Sequence, residues 1–232
     1  MRKPTRLHKC LGYAVREKRL AAYPLSKANL PEGWTAPAKP DDTLDPRAVG
    51  SPELVASMLT DCGTVGRRQG PRFVVFYGCM FYALMRPSEV AALTTAGCHL
   101  LAGQPAKSRF PPQLVALLRD HILAYGTAPD GRLFRSENGT PLQPSTWWQV
   151  GQKVRAASLT PEQLATPLMK KPYDLRHSGT TWRLDSGVPD AQVAAWAGHS
   201  VEMLRRVYAG RAEGLEGIWI TRMDQPLPQD EP

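Results

Sequence analysis

Cysteine is scarce in this sequence, four residues in 232, and the four stand far apart. Cys10, Cys62, Cys79 and Cys98 form no Cys-x-x-Cys pair and have no histidine at zinc-ligand spacing. Neither a metal site nor a disulfide framework is expected, and the thiols read as reduced. No apolar run approaches the ~20 residues that cross a bilayer. The N-terminus lacks the basic start, apolar stretch and small-residue cleavage site of a secretory signal. These absences argue against secretion and membrane insertion and lead to the expectation of a cytoplasmic protein. Internal repeats are missing too, and low-complexity sequence is confined to the acidic, proline-rich QPLPQDEP, so residues 223–232 are expected to be a disordered tail.

Acidic residues are in deficit, 21 against 29 lysines and arginines, for a formal charge of +8. Such a balance draws polyanions by long-range attraction, although charge alone serves solubility equally well. Hydrophobic residues make up 42% of the chain, enough to bury a sizeable core in one or two domains.

Residues 7–22 place Leu7, Leu11, Ala14, Lys18 and Ala21 at helical spacing, a short amphipathic helix. Five prolines and two glycines between residues 24 and 50 then break regular structure and read as a linker, with a boundary near residue 48. SPELVASMLTDCG carries Ser51 as N-cap, Pro52 in the first turn and Gly63 as a stop. FVVFYGCMFYALM is apolar nearly all round, and its length favours a core helix over a strand. Residues 94–109, with two glycines and a proline, predict no more than a stub of hairpin. PPQLVALLRDHILAYG is a helix, STWWQVGQKVRAA another with Ser145 as its cap, and TPEQLA has Thr160 and Gln163 in capping-box register. The tryptophans Trp147, Trp148, Trp182 and Trp196 are expected to pack in the core. The fold class is therefore mainly α (α+β), with a small, reduced β-sheet.

Three short helices joined by single-glycine turns follow: one after KKPYDLRHSG ending at Gly187, one from Pro189 to Gly198, and one from the N-cap Ser200 to Gly210. They gather Arg176, His199 and Tyr208, and Arg86 in ALMRPSEVAAL lies at a fourth helix junction. Each alone has an ordinary reading: a solvated arginine, a capping histidine, a half-buried tyrosine. Lys170 and Lys171 could contact phosphates or be a solvated pair.

In order and spacing, however, Arg86, then Tyr-x-x-Arg-His in YDLRHSG, then Gly-His-Ser, then a tyrosine nine residues after that histidine, resemble the catalytic domain of tyrosine recombinases, the phage-integrase family. The match runs over roughly residues 50–210. The resemblance implies phosphoryl transfer on double-stranded DNA that needs no metal or other cofactor. Tyr208 would attack a backbone phosphate, leaving a 3′-phosphotyrosyl link and a free 5′-hydroxyl. Arg86 and Arg176 match the arginines that hold the non-bridging oxygens, for which planar guanidinium forks are suited, and His199 would donate a further hydrogen bond. Lys170, Lys171, Arg205 and Arg206 are further candidate DNA contacts. His177 follows Arg176 on the helix and is expected to point toward the core.

Two positions depart from the family pattern. Tyr173 stands where an acid/base histidine is usual, and a phenol is a poor proton shuttle near neutral pH. The hairpin that carries the family's leaving-group lysine is shortened, with Lys107 its only lysine. The implied domains are 1–48, a remnant helix of a core-binding domain plus linker, 49–222, the catalytic domain, and the tail. The leading function is a site-specific DNA recombinase or integrase of a mobile element, acting as a tetramer on paired sites and nucleoid-associated. The alternatives are a DNA-binding remnant without strand transfer, or type IB topoisomerase activity.

Overall fold

The computed structural model describes residues 5–24, 26, 44–66, 69–98, 110–136 and 138–208, with side chains from residue 9 onward. The chain divides into two units, Met1–Asp41 and Asp42–Pro232. The first contains helix α1, Thr5–Arg16. It is shorter than the apolar spacing predicts because Lys18 turns left-handed, with φ of 54°, and a side-chain-bearing residue in that region cannot continue a right-handed helix.

In the second unit a single 3₁₀ turn, Pro46–Ala48, leads into α2, Pro52–Cys62. Ser51 caps α2 as expected, its hydroxyl accepting from the Leu54 amide at 3.2 Å. α3, Gln69–Tyr82, is the all-apolar stretch, buried from Phe73 to Phe81 except Val74. A helix with no polar face has to sit in the middle of its neighbours, and its one buried phenol is satisfied because Tyr77 donates to the Trp147 carbonyl at 2.6 Å. α4, Pro87–Ala91, and the single turn α5, Thr95–Cys98, follow.

Of the stretch 94–109 in which a hairpin stub is expected, Thr94 forms a β-bridge and Thr95–Cys98 is helical. Among the described residues β-structure is limited to two isolated antiparallel bridges, Thr94 with Arg132 and Arg135 with Pro141. Residues 99–109, and with them Lys107, lie outside the described residues.

α6, Pro112–Tyr125, and α7, Pro144–Ser158, flank α3. Ser145 is not the cap of α7. Pro144 takes the first helical position, where its fixed φ is pre-organised and its missing N–H costs nothing, so Gln143 becomes the N-cap. The box at α8, Pro161–Leu164, forms as read, with Thr160 and Gln163 bonding reciprocally at 3.0 and 3.3 Å. Trp147 stacks on Phe76, but Trp148 is 46% exposed, one position round the helix from the face that meets the core. Trp182 is 37% exposed while its ring stacks on Phe81.

α9, Asp174–Asp185, α10, Asp190–Ala197, and α11, Val201–Tyr208, complete the described chain; Gly210 and the tail lie outside it. A second, smaller core gathers Leu84, Val193, Ala194, Ala197, Leu204 and Tyr208 beneath these helices. α9 lies against α3 at a glycine: a Cβ on Gly179 would fall inside the van der Waals shell of the Phe81 carbonyl. That approach brings Arg176 and Arg183, three positions before and four after, onto the carbonyls at the C-terminal end of α3. Arg183 donates to Phe81, Tyr82 and Gly179, and burial pulls its guanidinium down to about 10. Carbonyls left over at a helix end are thus satisfied by side chains of the neighbour. No helix among the described residues is long and apolar enough to cross a membrane.

Candidate functional site

The site is built at three helix junctions. Where α3 ends, Leu84 adopts a left-handed φ of 53°, which for a branched side chain costs on the order of 1–2 kcal/mol. The turn directs the Leu84 carbonyl at α9 and starts Arg86 as the N-cap of α4. Glu89 closes that cap. One of its oxygens accepts from the Arg86 amide at 2.8 Å and the other from Arg86 Nη1 at 2.7 Å. With 39% of its side chain exposed, Arg86 is the accessible guanidinium of the cluster. Glu89 first, and the Tyr173 hydroxyl more weakly, raise it above its ordinary value.

Arg176, in the first turn of α9, is by contrast 1% exposed. Nη1 donates to the Leu84 carbonyl and Nη2 to that of Ala197, which brings the ends of α3 and α10 together. Nη2 also lies 3.0 Å from His199 Nε2. Burial above all, and then the charge of Arg86, lower Arg176 from its ordinary value, yet a guanidinium stays protonated in proteins and can only donate. His199 Nε2 must therefore accept, which puts the imidazole proton on Nδ1. That nitrogen is buried and has no hydrogen-bond partner among the described residues. Burial, Arg176 and Arg86 all lower His199, keeping the ring neutral. The left-handed Gly198, at φ 61°, ends α10 and turns the chain so that His199 faces Arg176; a Cβ there would stand 3.9 Å from Arg86 Nη1.

Tyr208 closes α11 and is 6% exposed. Its hydroxyl lies 2.8 Å from His177 Nδ1. His177 is half-buried and its ring meets Tyr208, and this contact is the one that reading the sequence missed. The available signal was the position of His177 beside Arg176 and four residues after Tyr173, so that on a helix it shares a face with Tyr173. Tyr173 sits at the N-terminal edge of α9 with its ring 5.0 Å from that of His177 and 5.9 Å from the Arg176 guanidinium carbon. Five of the predicted residues, Arg86, Tyr173, Arg176, His199 and Tyr208, thus share one corner of the molecule.

The remaining candidates do not join them. Lys170 and Lys171 are exposed before α9. Arg205 is held by Asp190 at 3.0 Å across α10 and α11, and Arg206 is exposed on the same helix. Among the described residues no group of three or more His, Cys, Asp or Glu could hold a metal ion.

No model of a known protein family matches the chain. A tyrosine recombinase XerC of Mesorhizobium japonicum is 27% identical over 192 residues, covering 75% of this chain and 58% of the relative; the chain therefore spans less than two thirds of the length of the curated relative it matches. Among solved structures, the XerA recombinase is similar with a TM-score of 0.59 at 15% identity, over 97% of this chain and 84% of that one. The Tn1549 transposon integrase in complex with transposon right end DNA gives 0.58 at 16% identity, over 92% and 76%. The XerH site-specific recombinase bound to its palindromic difH substrate gives 0.58 at 17%, over 78% and 54%. At these identities the likeness to solved structures is one of fold.

Proposed function

We propose, from the premise that a sequence relative and a shared helical fold support the tyrosine-recombinase family for this chain, that it cleaves and rejoins double-stranded DNA at specific sites through a 3′-phosphotyrosyl intermediate. The reading rests on one observation. Arg176 fixes the tautomer of His199 at 3.0 Å and leaves its buried Nδ1–H without a partner among the described residues, on a ring that feels the charge of Arg86. Such an N–H, with an accessible guanidinium, suits a non-bridging phosphate oxygen, where charge grows during attack.

In this mechanism Arg86 grips the phosphate, His199 donates to it, and Arg176 holds His199 in place from below. Tyr208 is the nucleophile, releasing the 5′-oxygen, and the deoxyribose 3′-phosphate stays on the enzyme. Tyr173 lines the same cluster as a hydrogen-bond donor, and Lys107 is the candidate that protonates the leaving oxygen. Residues 49–222 form the catalytic domain in this reading, and residues 1–48 carry a helix and linker of a core-binding domain. The net charge of +8 supports DNA as partner through phosphate neutralisation, with Lys170, Lys171 and Arg206 as outlying contacts. Strand exchange would require a tetramer on paired sites.

The test is covalent capture. A library of nicked duplexes with randomised arms is incubated with the full chain, and denaturant-resistant protein–DNA adducts are recovered and sequenced. A defined site, with the adduct abolished in Tyr208→Phe, is expected. No adduct with any duplex, while DNA binding is retained, would sink the proposal; relaxation of supercoiled plasmid without strand exchange would redirect it to topoisomerase chemistry.

A further inference from the structure

The nucleophilic attack needs a group within hydrogen-bond reach to take the phenolic proton. His177 Nδ1 is within that reach, at 2.8 Å from the Tyr208 hydroxyl. A phenol is by far a stronger acid than a neutral imidazole N–H, so the hydroxyl donates and Nδ1 accepts, which fixes His177 as the Nε2–H tautomer. The ring cannot swing away easily. It is half-buried, with the Tyr173 ring edge-on at 5.0 Å and the Tyr208 ring at 5.9 Å, and its backbone amide is tied to the Tyr173 carbonyl.

We infer that His177 is the general base of strand cleavage, taking the Tyr208 proton on Nδ1 as the tyrosyl oxygen attacks phosphorus. The inference rests on the reading above that Tyr208 is the nucleophile. In the step the Tyr208 Oη–P bond forms and the P–O5′ bond breaks. The phenolic proton passes to Nδ1 to give an imidazolium, and the 5′-oxygen leaves with the bonding pair and takes a proton from water or from an acidic side chain. In the reverse direction the 5′-hydroxyl attacks, returning its proton to water or to the same acidic side chain, and the imidazolium returns its proton to the departing phenolate.

The surroundings make this base responsive to the substrate. The charged and titratable groups that face His177 are Arg176, His199 and Lys171, with Tyr173 and Tyr208 against its ring. Burial first, and then the first three, push it down to about 4. It is a weak base while the site holds no anion. Burial, the larger cause, persists, but a phosphate held by Arg86 and His199 offsets the charges of Arg176 and Lys171, so basicity at Nδ1 rises in part when the bond to be cleaved arrives. Idle ionisation of the nucleophile is thereby suppressed.

The test compares His177→Asn with the native chain on a duplex recovered by covalent capture. Asparagine places an acceptor near the Nδ1 position but takes no proton. Adduct formation is expected to slow about 100-fold at pH 7, with the loss recovering as pH rises toward the phenol's own ionisation near pH 10. Histidine ¹⁵N spectra of the DNA-free protein supply a second readout, in which His177 Nδ1 is an acceptor whose signal moves in Tyr208→Phe. A rate within threefold of native at pH 7, a loss equal at every pH, or an Nδ1–H tautomer overturns the inference while leaving the recombinase reading intact. Failure of the native chain to form an adduct overturns both.

Discussion

Two corners of the molecule bury an arginine against backbone carbonyls, and they do so to different ends. Arg155 on α7, 8% exposed, donates from Nε to Leu168 at 2.8 Å and from Nη2 to Leu164 and Thr166 at 3.0 and 2.9 Å. All its partners belong to one stretch of chain just after its own helix, so it clips a loop shut. Arg176 draws its three partners from two separate junctions, Leu84 after α3, and Ala197 and His199 between α10 and α11, and one of them titrates. The same guanidinium chemistry therefore makes a local fastening in one place and in the other a device that sets a proton's position on a neighbouring ring. Burial and hydrogen bonding alone do not tell them apart; the identity of the last partner does.

The sharpest way to break this comparison is to alter each arginine in turn. Arg176→Lys keeps the charge but cannot fork between Leu84, Ala197 and His199, and single-turnover adduct formation should fall by about 10³-fold. Arg155→Met should leave the adduct rate per folded molecule unchanged while lowering the unfolding free energy in urea by about 4 kcal/mol, because several buried carbonyls lose their donor. Equal losses of rate in the two variants would erase the distinction.

Gly179→Ala should cost about 3 kcal/mol by wedging α9 off α3, and it should lower the adduct rate as well, since Arg176 moves with α9. A stable, fully active Gly179→Ala would mean that the close approach is dispensable.

Acid should weaken the Arg176 corner selectively. His177 has a folded value of about 4 against an ordinary value near 6.5, and His199 is lowered as well. Between about pH 6.5 and 4 the unfolded chain binds protons that the folded chain refuses, so stability is fully present above that window and declines as pH falls through it. The contribution of His177 is on the order of 2 kcal/mol after allowance for partial exposure. Urea midpoints measured across this range should fall with pH, and less steeply in His177→Asn. The smallest effect belongs to Glu89→Gln, which loosens an exposed ion pair and half a helix cap. About 0.5 kcal/mol of stability is expected to be lost in urea unfolding.

Much of this was legible in the sequence, and what was not has a physical reason. The helices around the core announce themselves through local signals, Ser51 with Pro52 or Thr160 with Gln163, because capping is a contact between near neighbours in the chain. The corner holding Arg86, Tyr173, Arg176, His199 and Tyr208 is legible only through the family resemblance that their order and spacing carry. Partner choice was not readable. That Arg205 is engaged by Asp190, or that His177 meets Tyr208, depends on how α9, α10 and α11 are folded onto one another, a relation across 15 to 31 positions. Ser145 misled because the proline before it outcompetes a serine for the helix start, and Trp148 because adjacent tryptophans cannot both face the same side of a helix.

The contact at Gly179 divides stiffness within the Arg176 corner. α9 cannot slide along α3 without driving its own backbone into the Phe81 carbonyl, and Arg176 and Arg183 rivet the two helices on either side of that point. Arg176 and the Leu84 turn consequently behave as an anvil, fixed before any substrate arrives. On the recombinase reading, displacements that accompany bond breaking and re-formation are expected on the other side, along α10 and α11, which the left-handed Gly198 joins and Tyr208 ends.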